Sequence, residues 1–73
     1  MDNKNILIKL ASNIKAERAR KNLSQAELAE LIDVSENSIG KIERAEQNPS
    51  AIMVYSIAKA LKIDLNELFK GIE

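Results

Sequence analysis

Seventy-three residues, 11 basic side chains against 11 acidic ones, and neither cysteine nor histidine bound what this chain can be. It is one domain with a small core, which contact with a partner or a second copy would help. Disulfides, thiolate or imidazole metal sites, Ser-His-Asp triads and Cys-His pairs are excluded, and the lack of cysteine suits a reducing interior.

The neutral total hides an uneven distribution. Residues 1–25 carry six basic and two acidic side chains, residues 26–50 two and six, and residues 51–73 three of each. Zero net charge counts against nucleic-acid binding, but a basic strip permits it with modest, strongly salt-sensitive affinity.

The opening MDNKNILIKL has a lysine inside its apolar patch and no small-residue cleavage site, so it does not read as a signal peptide. No apolar run approaches the ~20 residues that span a bilayer, and the expected location is the cytoplasm. Helix 1 is predicted over about 5–21, with Leu7, Leu10, Ala11 and Ile14 on one face and Asn22 in a left-handed position just past its end.

Helix 2 is predicted over 25–32. Ser24 and Glu27 form a capping box, and Leu28, Leu31 and Ile32 form its apolar face. Ser35 caps helix 3, about 36–44, with Ile39 and Ile42 inward. Ala29 lies where the two helices cross, and its small side chain allows close approach. Such a short pair, polar on the outer face of its second helix, fits a DNA major groove.

Pro49 biases Asn48 away from helix, and Ser50 caps helix 4, about 51–61, with Val54, Ile57, Ala58 and Leu61 inward. Asp64 and Glu67 make a second capping-box-like pair at the start of helix 5, from 65 to about 70, which Gly71 ends. No segment alternates apolar and polar residues at useful length, so no strand is predicted.

Taken together, the Arg18 position, SQAELAELIDVS, IGKIER, NPS and IAKALKIDLNELF resemble the Cro/repressor-like helix-turn-helix domains of the XRE family, over 14–69 of the chain. The resemblance implies an all-α, five-helix, lambda-repressor-like DNA-binding domain over 1–73. Its motif would lie at about 24–44, and it would usually act as a dimer on a near-palindromic operator. Three positions depart from the family. Asp33 stands in the motif turn, and Ala45 after the second motif helix, where glycine is common. Gly40 lies inside that helix, where it costs about 0.5–1 kcal/mol relative to Ala; it either permits close approach to a phosphate backbone or is simply tolerated.

In family geometry the outward residues at the start of helix 3 are Glu36, Asn37 and Ser38, with Lys41 one turn on. Asn pairs with adenine N6 and N7, Lys donates to guanine O6 and N7, and Glu accepts from cytosine N4. Outside the motif the same residues would read as a solvated polar face. Glu36 suits any helix N-terminus and near phosphates would act by rejecting wrong bases. Gln25 commonly holds a phosphate in this family, with the free N–H groups of its helix start. Arg20, Lys21, Arg44, Gln47 and Asn48 are further phosphate candidates, each of which alone reads first as a plain surface residue; Glu46 weakens that role in its loop. By the same resemblance Arg18 and Glu43 face each other inside the domain as a structural ion pair.

Tyr55, Phe69 and Ile72 read most simply as core or core-edge residues. Ile52, Met53, Leu68, Phe69 and Ile72 are nonetheless a surplus of apolar groups for so short a chain. The expectation is a homodimer built from helix 5 and the chain end at 64–73, with a contribution from helix 4. Ile6 and Ile8 also fall off the inward face of helix 1.

The leading expectation is a sequence-specific, double-stranded DNA-binding transcriptional regulator, of repressor, phage or restriction–modification controller type. The alternative is a protein-interaction module, such as an antitoxin or anti-repressor partner, on the same fold. An enzyme is not expected, and no cofactor, metal, membrane or small-molecule ligand is implied. With only Tyr55 and Phe69 able to stack a base, RNA or single strands are poor targets.

Overall fold

The computed structural model describes residues 1–73 as five helices without strands: α1 (Asn3–Arg20), α2 (Gln25–Leu31), α3 (Glu36–Glu43), α4 (Ala51–Leu61) and α5 (Leu65–Leu68). No helix is long and apolar enough to cross a membrane. A side-chain oxygen opens every helix. Asp2, Ser24, Ser35, Ser50 and Asp64 each accept a backbone N–H from the first turn. Asp2 does this for Asn5 at 2.8 Å, which is why α1 begins two residues before its predicted start.

The capping box at α2 is complete: the Ser24 N–H donates to Glu27 Oε1 at 2.8 Å and the Glu27 N–H to Ser24 Oγ at 3.0 Å. The pair expected at α5 forms only in part. Asp64 accepts from the Asn66 N–H, while Glu67 turns to Lys70 Nζ at 2.8 Å. In a one-turn helix a cation three residues on is within reach, and its charge-assisted bond wins over an amide.

Four helix ends share one closure. Asn22, Asp33, Ala45 and Lys62 are left-handed, with φ of 58–60°. In each case the next N–H returns to a carbonyl five residues back: Leu23 to Arg18, Val34 to Ala29, Glu46 to Lys41 and Ile63 to Ala58. These are Schellman closures. Leu23, Val34 and Ile63 then pack against the core, which turns the chain sharply back on itself. Asn22 and Asp33 sit where their tolerance of this backbone predicts.

Lys62 gives no such signal, and its Cβ carries about 1–2 kcal/mol of steric cost in that conformation. Its side chain is exposed. Lys62→Gly is therefore expected to stabilise the domain by about 0.5–1 kcal/mol, after allowing for the greater freedom of glycine in the unfolded chain. Thermal unfolding followed by circular dichroism should show the midpoint rise by a few degrees; an unchanged or lower midpoint would contradict the strain argument.

The core joins Leu10 and Ile14 of α1, Leu28 and Ala29 of α2, Ile39 and Ile42 of α3, Val54, Ile57, Ala58 and Leu61 of α4, and Leu68 of α5. Three expectations need correction. Leu31 is 60% exposed: at ~100° per residue it lies about a quarter-turn off the inward stripe of Leu28, Ala29 and Ile32. Leu68 is fully buried within its own chain, so it is a core residue and not a dimer-face residue. Tyr55 and Phe69, read as core or core-edge, are exposed.

Candidate nucleic-acid interface

The α2–α3 pair is held to α1 by one polar cluster. Arg18 Nε donates to Glu43 Oε2 at 2.7 Å and Arg18 Nη2 to Glu43 Oε1 at 3.0 Å, a bidentate fork. The third guanidinium arm, Nη1, donates to the Leu23 carbonyl at 2.7 Å, fixing the α1–α2 turn. Gln25 Nε2 donates to Glu43 Oε1 at 3.0 Å and so ties α2 to α3. The Arg18 and Glu43 side chains are 13% and 2% exposed. The bond to Glu43 raises the Arg18 pKa above its ordinary value, so the guanidinium is charged at any ordinary pH. The cluster therefore sets the relative orientation of α1, α2 and α3.

Beside it lies a shallow polar depression of about 300 Å³, lined by Gln25, Glu36, Asn37, Gly40 and Arg44. Asn37, Gly40 and Arg44 follow one another at helical spacing on one stripe of α3. Glu36, Asn37 and Lys41 are exposed. Ser38 is half-buried, its hydroxyl 2.9 Å from that of the capping Ser35. Gly40 is covered by Arg44: a Cβ there would stand 2.8 Å from Arg44 Nη1. The glycine thus makes room for a neighbouring guanidinium, a role that neither sequence reading gave it.

The remaining phosphate candidates are scattered. Arg20 pairs with the buried Glu17 at 3.3 Å. Lys21 lies with Leu23, Leu31, Ala60, Leu61 and Lys62 on a separate groove. Asn48 lies with Asn3, Ile6, Leu7 and Leu10. Gln47 is exposed in the loop after α3. Of the phosphate candidates only Gln25 and Arg44 line the depression, where they meet Glu36 and Asn37; the base-contact candidates Ser38 and Lys41 lie outside it.

A helix-turn-helix family model, HTH_3, matches residues 14–68. The chain belongs to the HTH_3 family. It is 38% identical over 68 residues to control protein C.SmaI of Serratia marcescens, covering 93% of this chain and 77% of that one. An HTH-type transcriptional regulator of Archaeoglobus fulgidus is 32% identical over 60 residues, covering 82% and 84% of the two chains. Among solved structures, the restriction–modification controller C.AhdI of Aeromonas hydrophila superposes with a TM-score of 0.83 at 35% identity, over 86% of this chain and 96% of that one. An HTH_3 regulator of Vibrio cholerae gives 0.89 at 27% identity, over 97% of this chain and 40% of the longer one. Both α2 and α3 lie within the matched residues, and the depression is lined by Gln25 at the start of α2 together with Glu36, Asn37, Gly40 and Arg44 of α3 and its end.

Two side-chain contacts escaped the sequence. Asn13 Nδ2 donates to the Leu68 and Lys70 carbonyls at 2.9 and 2.8 Å, clamping the chain end onto α1. Nothing in the sequence set Asn13 apart from the other polar residues of α1. Arg44 forms an ion pair with Glu46, Nε to Oε2 at 2.9 Å.

Proposed function

We propose that this HTH_3 DNA-binding transcription regulator reads a near-palindromic duplex operator as a two-fold dimer, with α3 in the major groove. The observation that carries the reading is the depression in which Gln25 of α2 meets Asn37 and Arg44 at the two ends of α3. Asn37 and Lys41 are the proposed base readers, with Glu36 as a selector against wrong bases and Ser38 supporting the helix start. Gln25 and Arg44 are the proposed phosphate contacts. The Gln25 amide is already aimed by its bond to Glu43, so little freedom is lost on contact. The role of a restriction–modification controller, carried over from C.AhdI, is the most specific form of the proposal.

The dimer reading is supported by exposed apolar groups on one pair of packed helices. α4 presents Ile52 and Tyr55 one turn apart, and α5 presents Leu65 and Phe69. Met53 and Ile72, also expected at the interface, are half-buried and packed against the core. The chain is 32 Å in its longest dimension, and in this reading α3 is its one recognition helix. Reading both halves of a site one DNA turn apart, about 34 Å, therefore takes two copies.

Asn37→Ala is expected to cost about 1–3 kcal/mol on the best site and to relax preference at one base pair per half-site. Gln25→Ala should weaken all sequences nearly alike. Competition anisotropy with single-base-pair variants separates the two. Uniform weakening by Asn37→Ala would overturn the base-reading assignment. Failure to bind any duplex even at low salt would favour a protein-interaction role for the same fold.

A further inference from the structure

The left-handed Ala45 folds the end of α3 back, with the Glu46 N–H on the Lys41 carbonyl at 2.9 Å. This turn delivers the Glu46 carboxylate to the Arg44 guanidinium. Nε meets Oε2 at 2.9 Å, and Nη2 approaches Oε1 at 3.4 Å. The guanidinium itself lies over Gly40, in space that any side chain there would take, at the edge of the proposed recognition face. Two oxygens placed side by side against the fork of an arginine reproduce what a DNA phosphate offers.

From this geometry we infer that Glu46 is an internal stand-in for a phosphate, a positioning residue that holds Arg44 parked over Gly40 until a DNA phosphate displaces it. The inference rests on the DNA-binding reading and adds a control on affinity to it. Both side chains are about half exposed, so water and salt screen the pair and it opens at little expense. The carboxylate also feels Lys41, and the bond to Arg44 with both cations holds its pKa below the ordinary value of 4.5. One carboxylate thereby offsets two cations of the proposed face. Binding to any phosphate backbone then requires an exchange of partners, which lowers affinity for random sequence. A specific site restores that loss through base contacts.

The test compares the wild type, Glu46→Gln, Arg44→Met and the double variant by anisotropy on a random-sequence duplex across a salt series. Circular dichroism serves as the fold control. Glu46→Gln is expected to tighten binding about two- to fivefold, the scale of one exposed ion pair. The gain should shrink as salt rises, because screening weakens the pair that the wild type must open. Neither the gain nor its salt dependence should appear in the Arg44→Met background. An equal gain in that background would show plain charge repulsion and overturn the inference, as would no gain at all. NMR titration of Glu46 in the DNA-free protein gives a second readout. Its midpoint should lie below the ordinary value and return toward it in Arg44→Met, and an unmoved midpoint overturns the pair directly. Duplex binding by the wild type with Glu46→Gln unchanged sinks the inference alone, whereas no duplex binding by any form sinks the DNA reading and this inference with it.

Discussion

Replacing Arg18 with Met is expected to lower stability by about 3–5 kcal/mol, because Glu43 is left as a buried charge without its partner. For a domain of this size that shifts the melting midpoint down by more than ten degrees. The loss has a definite structural origin. The guanidinium satisfies both Glu43 oxygens and the Leu23 carbonyl, and after the change only Gln25 remains on Glu43. Changing both members, Arg18→Met with Glu43→Leu, should recover much of the loss, since apolar groups can fill the space of an ion pair without stranded charge. Thermal melts of the four forms measure the coupling. A double variant no better than the worse single one would contradict a direct pair. The double variant should nonetheless bind DNA less well than its stability suggests, because Gln25 loses the acceptor that aims it.

Phe69→Glu or Ile52→Glu is expected to give a folded monomer that has lost about 100-fold or more of its operator affinity. Ile52 is 79% exposed, so within one chain a carboxylate there displaces no core contact; Phe69 is 40% exposed, so Ile52→Glu is the cleaner of the two substitutions. In a two-fold dimer the same substitution is made on both copies, where charge meets its own image across the axis. Without the partner, the second half-site no longer binds at high effective concentration, and factors of 10²–10⁴ are the usual scale of that advantage. Leu68→Glu behaves differently: it buries a charge in the core and is expected to unfold the domain. Sedimentation and circular dichroism on the three variants separate these outcomes. A wild type that remains monomeric at high concentration and binds one half-site alone would contradict the dimer.

The helices were legible in the sequence because their ends are written in side chains that act locally. Ser24, Ser35 and Ser50 cap where expected, and α4 runs over the predicted residues with all four of its inward positions buried. The core partners of α3 followed from helical period alone. Leu31 failed on helical period itself, lying a quarter-turn off the inward stripe of α2. The other misses depended on neighbours far away in the chain: Leu68 fits an apolar pattern, but which way it faces is decided by where α5 sits against α1 and α4. The left-handed Lys62 has no side-chain signature, since the closure is driven by Ile63 docking on the core. For the site, the residue types on α3 and the Arg18–Glu43 pair were visible through family resemblance. The Gln25–Glu43 bond, the seat of Arg44 over Gly40 and the Arg44–Glu46 pair were not, because each needs three-dimensional distance and not spacing. The same holds for the scatter of Arg20, Lys21 and Asn48 away from the depression.

Selection of bound sequences from a random duplex library tests the central claim most directly, that α3 reads bases in the major groove from a symmetric dimer. The predicted result is an inverted repeat whose half-sites lie about one helical turn, or a multiple of it, apart. Selection with Asn37→Ala should change the preferred base at one symmetric pair of positions and leave the spacing intact. Recovery of no enriched sequence, or of an enriched site without two-fold symmetry that Asn37→Ala leaves unchanged, would contradict it.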